Sequence, residues 1–590
     1  MKKIVPMLLA LLLVVVLLVY AQGSGDSGAE TEDGSESGDS SELDGGSQTE
    51  TPEPDDSGDD GEDDSEEDDT GEENDDTELI WDTTNVTYIT LNGSKISVNG
   101  SGASVSGSVV TIRSAGTYSF SGTLDDGQII VNTDDEDMVV LILNGADITC
   151  LSSSPIYIVS AEDTVISLAD GTDNYVTDGD SYVLDDPTSD EPNAAIFSKD
   201  DLIITGSGSL TVNANYKNGI QGKDDLEITD AADITVNAEN DGIKGKDSLV
   251  ITDSVITIDA GADGMQATNE DDTEKGYVCI EDSAIYIECG EDGIQAVTDL
   301  TVDGGEIEIY SNGGKGLKAG TSITVTGGDI VIETSDDAVH SNGSVTIDGG
   351  DLTLTSDDDG VHAETTLEIN GGTIDILECY EGLEAIDIII NDGEIHIDAS
   401  DDGINGAGGT VSDMMNGGRG GGQMSEEGNC SLTINGGYVY VDAAGDGLDV
   451  NGPITMTGGV VIVNGPTNSA NGALDYTGSC TVDGGYLLAV GSYGMAQSLS
   501  TSSDQYSISL TFTSSLPAGT LIHIESQDGE DILTFVSAKT YQSLVLCSPD
   551  LVEGETYDVY YGGSSTGTEK DGLYTGGTYT DGTNIGSFTA

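Results

Sequence analysis

The chain is 590 residues long and carries 111 Asp+Glu against 15 Lys+Arg, a formal net charge of -96 at pH 7. That balance leaves no basic footprint for nucleic acid or for an anionic membrane, so both are excluded as partners of the folded part. Length alone does not demand several globular cores, because a repeat array grows by units that contact only their neighbours.

At the N-terminus, Lys2 and Lys3 precede an apolar run from Ile4 to Tyr20, and Ala21 follows. Residues 1–21 therefore read as a secretory signal peptide, with an uncleaved membrane anchor as the alternative. The expected location is outside the cell or on its surface. Residues 22–78 are almost wholly Gly, Ser, Thr, Asp and Glu. They cannot bury enough apolar surface to offset ordering, and they read as a disordered, self-repelling acidic linker.

Residues 79–140 alternate in the manner of strands, as in Val86-Thr87-Tyr88-Ile89-Thr90-Leu91 and Gln128-Ile129-Ile130-Val131. Short β-branched runs broken by Gly, Asn and Asp predict an N-terminal β region. From 141 to 499 one phrase recurs: Asp241-Gly242-Ile243-Lys244, Asp292-Gly293-Ile294-Gln295, Asp359-Gly360-Val361-His362 and Asp402-Gly403-Ile404-Asn405. Its glycine slot falls at 219, 242, 264, 293, 316, 338 (Ala), 360, 382 and 403, in steps of 23, 22, 29, 23, 22, 22, 22 and 21. Each period divides into three short strands, for example Leu300-Thr301-Val302, Ile307-Glu308-Ile309 and Gly316-Leu317-Lys318. Three strands and three turns in about 22 residues predict an all-β protein, a right-handed parallel β-helix whose coils stack at roughly 4.8 Å. The stretch 407–429, with Gly420-Gly421-Gly422, reads as a mobile insertion. After 500 the period vanishes, and Thr520-Leu521-Ile522-His523-Ile524 with Ser543-Leu544-Val545-Leu546 predict a small β-sandwich-like module over 500–590 that caps the solenoid.

In such a fold each turn position becomes a column. The slot before the glycine contains Asp241, Asp263, Asp292, Asp337, Asp359 and Asp402, and the slot before that adds Asp336, Asp358 and Asp401. Unit charges 4 to 5 Å apart repel by about 1 kcal/mol in water and several times more near a protein surface. A column of them calls for a cation, and hard oxygen donors suit Ca²⁺. The alternative is solvated Asp-Gly turns. A second acidic column, Asp200-Asp201, Asp224-Asp225 and Asp247, follows Lys199, Lys223 and Lys246, and reads as self-neutralising pairs.

Two residues past the glycine runs an outward polar ladder: Lys244, Gln266, Gln295, Lys318, His340, His362, Glu384 and Asn405. Such a row is placed to hydrogen-bond successive sugars of an extended glycan. Only two histidines, His340 and His362, align, which argues against zinc on this count. Tyr286, Tyr310, Tyr438 and Tyr440 are further candidates for stacking on sugars. The seven cysteines contain no Cys-x-x-Cys and read as core residues, with a Cys279–Cys289 pair as the alternative.

The chain resembles calcium-associated, carbohydrate-binding right-handed β-helix proteins of clostridial cell surfaces, related in shape to pectate lyases. The resemblance rests on Gly116-Thr117-Tyr118, Leu141-Ile142-Leu143-Asn144-Gly145, Ala195-Ile196-Phe197-Ser198-Lys199-Asp200-Asp201-Leu202, the Asp-Gly-Ile coils, and Ser548-Pro549-Asp550-Leu551. It implies calcium and a polysaccharide partner, cellulose or polygalacturonate-like; the lack of an arginine near Lys244 or Lys318 and the acidic surface favour a non-catalytic binder, expected as a monomer. A calcium-dependent polysaccharide lyase is the runner-up, with Lys244 or Lys318 as the base, and a structural stalk or adhesin is the third reading.

Overall fold

The computed structural model describes residues 84–184, 188–407 and 430–590. The signal peptide, the acidic linker and all but the first residue of the 407–429 insertion lie outside the described residues. Within them every regular element is a strand.

The strands stack coil on coil in three parallel lanes. In a motif lane, Ile294–Ala296 pairs with Leu317–Ala319, which pairs with Val339–Ser341. A second lane stacks Asp299–Asp303 on Ser322–Val325 and then on Ser344–Ile347. The third stacks Glu306–Ser311 on Asp329–Thr334 and then on Asp351–Ser356. In every lane like falls on like: Leu300 on Ile323 on Val345, and Ile307 on Ile330 on Leu352. These side chains point inward and are buried, while their neighbours Thr301, Thr324 and Thr346 look outward. Period-two alternation thus gives each strand one face to contribute to a single continuous core. Burying one such Ile or Leu is worth about 1.5–3 kcal/mol, so stability accrues coil by coil.

The glycine slot is a packing requirement. A Cβ on Gly293 would lie 2.4 Å from Ile309 Cγ2 and 2.6 Å from the Gly316 carbonyl oxygen. At Ala338 the array accommodates the extra methyl, fully buried, and Ala195 and Ala473 fill the same slot in an earlier and a later coil.

Parallel stacking starts before residue 141. Thr87–Gly93 pairs with Gly116–Leu124, which pairs with Val139–Cys150, and antiparallel hairpins at Lys95–Asn99 and Ala103–Ser106 close this end. At the other end the last coil strand, Tyr486–Gly491, pairs antiparallel with Tyr541–Cys547. A six-stranded antiparallel sheet follows, built on Leu521–Ser526, Asp531–Val536 and Thr556–Tyr561. Its apolar face, with Ile522, Phe535 and Tyr557, shares a second core with Ile462, Leu488 and Val490 on the outer face of the third lane. The module therefore caps the solenoid and also folds back along its flank. All seven cysteines are free thiols, so Cys279 and Cys289 do not pair.

Candidate functional site

The recurring turn closes on itself. Lys244 Nζ lies 2.8 Å from Asp241 Oδ2, Gln266 Nε2 donates to Asp263 Oδ2 at 2.7 Å, His340 Nδ1 lies 2.7 Å from Asp337 Oδ2, and His362 Nδ1 lies 3.1 Å from Asp359 Oδ2. In each case the fourth letter of the motif reaches back to the first. The other carboxylate oxygen points to the next coil: Asp263 Oδ1 accepts from Asp292 N at 3.0 Å, Asp292 Oδ1 from Lys315 N at 2.9 Å, and Asp337 Oδ1 from Asp359 N at 3.1 Å. One oxygen staples adjacent coils and the other holds a side chain of its own turn. The ladder is a true column, with His340 in register with Lys318 above and His362 below, but it is part-buried and engaged with the acid column.

This arrangement accounts for Asp241, Asp292 and Asp337 without a metal. Lys318 Nζ reaches Asp292 at 2.5 Å, and Lys315 Nζ reaches Asp336 at 2.9 Å and Asp337 at 2.5 Å. Burial works against the charge of Asp337, yet hydrogen bonds from His340 and Lys315 outweigh it and hold the carboxyl well below the usual range. His362 is raised to about 9: burial opposes its charge, while the bond to Asp359 and the nearby carboxylates of Glu384 and Asp337 prevail.

The pattern changes toward the C-terminal coils. Asn405 turns from its own Asp402 to donate to Glu381 Oε2 at 2.5 Å. Asp402 Oδ1 still staples Asp446 N at 2.5 Å, but the fourth letter of the next motif is itself acidic, Asp449. Among the described residues, no lysine or histidine pairs with Asp402, Asp446 or Asp449. Burial first, then mutual repulsion, pushes Asp402 up to about 7 and Asp449 to about 6. Their oxygens come within 4.8 Å of one another. A donor set of carboxylates alone, starved of positive charge, has the chemistry of a hard divalent cation site.

Where the ladder turns acidic, a cleft of about 640 Å³ opens. His340, His362, Glu384 and Asn405 of the predicted ladder line it, as do Asp337, Asp358 and Asp359 of the predicted metal column. Lys244, Gln266, Gln295 and Lys318 lie on earlier coils of the same lane, and Asp241, Asp263 and Asp292 on the matching turns. Asp336 binds Lys315, while Asp401 borders the Asp402 cluster. Residues outside the predicted ligand and metal sets also line the cleft: Lys315, Glu364, Tyr380 and Glu381. Lys315 and Glu381 occupy the acid slot itself, and Tyr380 the position before it, so the period was the available signal.

Two expectations are corrected. Tyr438 and Tyr440 are not open to a ligand: Tyr438 Oη donates to Asp571 at 2.7 Å beneath Lys570, and Tyr440 lies beside His396 under the C-terminal module. Nor are the lysines of the second acidic column paired with the residues that follow them. Lys223 reaches Glu191 at 2.8 Å, with Lys199 at 3.9 Å from the same carboxylate, and only Lys246 keeps its neighbour Asp247, at 3.2 Å. Tyr286 and Tyr310 do stand together, their ring centroids 5.7 Å apart.

A family model described as "Carbohydrate-binding domain-containing protein" matches residues 106–360 and 342–428, together more than half of the chain. The chain belongs to that family. A relative in Acetivibrio thermocellus with the same description is 53% identical over 111 residues, 19% of this chain and 39% of the relative, so the match spans well under half of that protein. A solved structure titled "polysaccharide lyase-like protein from C. thermocellum, Gadolinium derivative" aligns at 39% identity with a TM-score of 0.37, over 44% of this chain and 96% of its own.

Proposed function

We propose that this protein is an extracellular, monomeric, non-catalytic receptor for an extended polysaccharide, cellulose or a polygalacturonate-like chain, and that it carries Ca²⁺ at Asp402, Asp446 and Asp449. The observation that carries the reading is the cleft of about 640 Å³ along the motif lane, with Tyr380 exposed at its rim and hydrogen-bonding side chains at each coil step. An aromatic face flanked by spaced polar groups is the physical requirement for gripping a sugar chain. Calcium is the bridge that lets so acidic a surface accept an acidic glycan.

Absence of catalysis is supported by the two lysines that would serve as base. Lys244 Nζ is tied to Asp241 at 2.8 Å and Lys318 Nζ to Asp292 at 2.5 Å, whereas proton abstraction needs a free base within reach of the substrate. Glycan arrays run with calcium and with chelator test the proposal. Retention of a plant-type or acidic polysaccharide, reduced by Tyr380→Ala, is expected; retention of no glycan under either condition overturns it. Incubation with polygalacturonate and calcium is expected to release no unsaturated product.

A further inference from the structure

In the cleft, three carboxylate oxygens face a single imidazole nitrogen. His362 Nδ1 lies 3.1 Å from Asp359 Oδ2, 3.7 Å from Glu384 Oε2 and 3.8 Å from Asp337 Oδ2. That nitrogen carries at most one proton and satisfies one of these oxygens, not three. Asp337 has partners of its own in Lys315 and His340. Asp359 and Glu384 are left to share His362, and the donor atoms of these three residues lie within 4.8 Å of one another.

The spacing matches a small cation. An ion with ligands at about 2.0–2.1 Å in a tetrahedral shell sets its donors roughly 3.3 Å apart, near the separations measured from His362. Ca²⁺ takes six to eight oxygens at longer range and has no use for an imidazole. A count of histidines alone misses this site, because two of the three donors are carboxylates brought in by the turn and by the neighbouring coil. Asp359 and His362 flank the glycine of one motif, and Glu384 is the register partner of His362 on the next coil.

We propose that His362 Nδ1, Asp359 and Glu384 bind a divalent first-row transition ion of the Zn²⁺ class, with the open coordination position facing the cleft. Mixed imidazole and carboxylate donors suit such ions. His340 and Lys315 are positioning residues that hold Asp337 behind the site. These donors are distinct from Asp402, Asp446 and Asp449, the carboxylates proposed above for Ca²⁺.

The test uses the full chain, stripped with chelator, then titrated with Zn²⁺ by calorimetry and with Co²⁺ by visible absorption. The expected result is a single Zn²⁺ per chain that excess Ca²⁺ does not displace, with Co²⁺ bands of low-coordinate, imidazole-bound metal. His362→Gln and Glu384→Gln should each weaken binding at least about tenfold, whereas Asp233→Asn, exposed on an earlier coil, should leave it unchanged. Metal-free melting curves establish that each variant is folded. A wild-type chain that takes up no Zn²⁺, or two folded variants that bind it as the wild type does, overturns the proposal.

Discussion

Lys244 Nζ and Asp241 Oδ2 stand 2.8 Å apart across a single turn, and one coil earlier Asn218 Nδ2 donates to Gln221 Oε1 at the same 2.8 Å. The array thus contains a charged and a neutral version of one device. Asp241 is almost fully buried, so Lys244→Met, which strands its charge, should destabilise the protein by about 3 kcal/mol. The double variant Asp241→Asn with Lys244→Gln reproduces the neighbouring neutral pair and should recover most of that loss. Chemical denaturation of the single and double variants checks the contrast, and equal losses in both would show that the pair is not the unit.

Gly293→Ala should cost about 1–3 kcal/mol by overpacking, because its new methyl meets Ile309 and the Gly316 carbonyl. Ala338→Gly, at the same slot, should cost less than that. Thermal melts of the two variants give the comparison directly.

The pH profile should run opposite to that of a protein held by surface ion pairs. Burial raises Asp178 and Asp263 to about 6 and Asp402 to about 7 from an ordinary 3.8. The native state therefore binds protons more tightly than the unfolded chain, and stability present at low pH is lost as pH rises through those values. Asp337, held low, works the other way, but only as pH falls toward and below 3.8. In chelator, the melting temperature should peak near the ordinary carboxyl value of 3.8 and fall as pH rises toward 7. Asp178→Asn should flatten part of that slope.

Removal of calcium should lower the melting temperature at neutral pH. At a hundredfold excess over its dissociation constant, a bound ion contributes about 2.7 kcal/mol. Stripped of metal, the double variant Asp402→Asn with Asp449→Asn should melt at the same temperature with and without added Ca²⁺. A response to Ca²⁺ that survives in this variant would place the calcium elsewhere.

Much of the fold was legible because a β-helix writes its period into the chain: the aliphatic triplets at Leu300, Ile307 and Leu317 fixed lanes, register and inward face together. The acid column was legible for the same reason. What it binds was not, since the turn that brings residue four back to residue one is a matter of backbone geometry. Asp292 shows this best: the sequence places Gln295 at its fourth letter, but the structure gives it Lys318 from the next coil. The docking of the last module was equally hidden. His396 meets Asp571 at 3.1 Å and Lys570 meets Glu394 at 3.0 Å, contacts between segments about 175 residues apart that no periodicity announces.

That clasp sets the order in which the array comes apart. Lys539 binds Asp442 and the carbonyl of Ala443, while Lys570 and Asp571 hold the turn and strand at Glu394 and His396. Coils between those anchors and the cap cannot peel away one at a time from the C-terminal end until the whole module has let go. Under heat or pulling, unravelling should begin at the opposite end and travel toward the clasp, with backbone amides of the last coils the slowest to exchange.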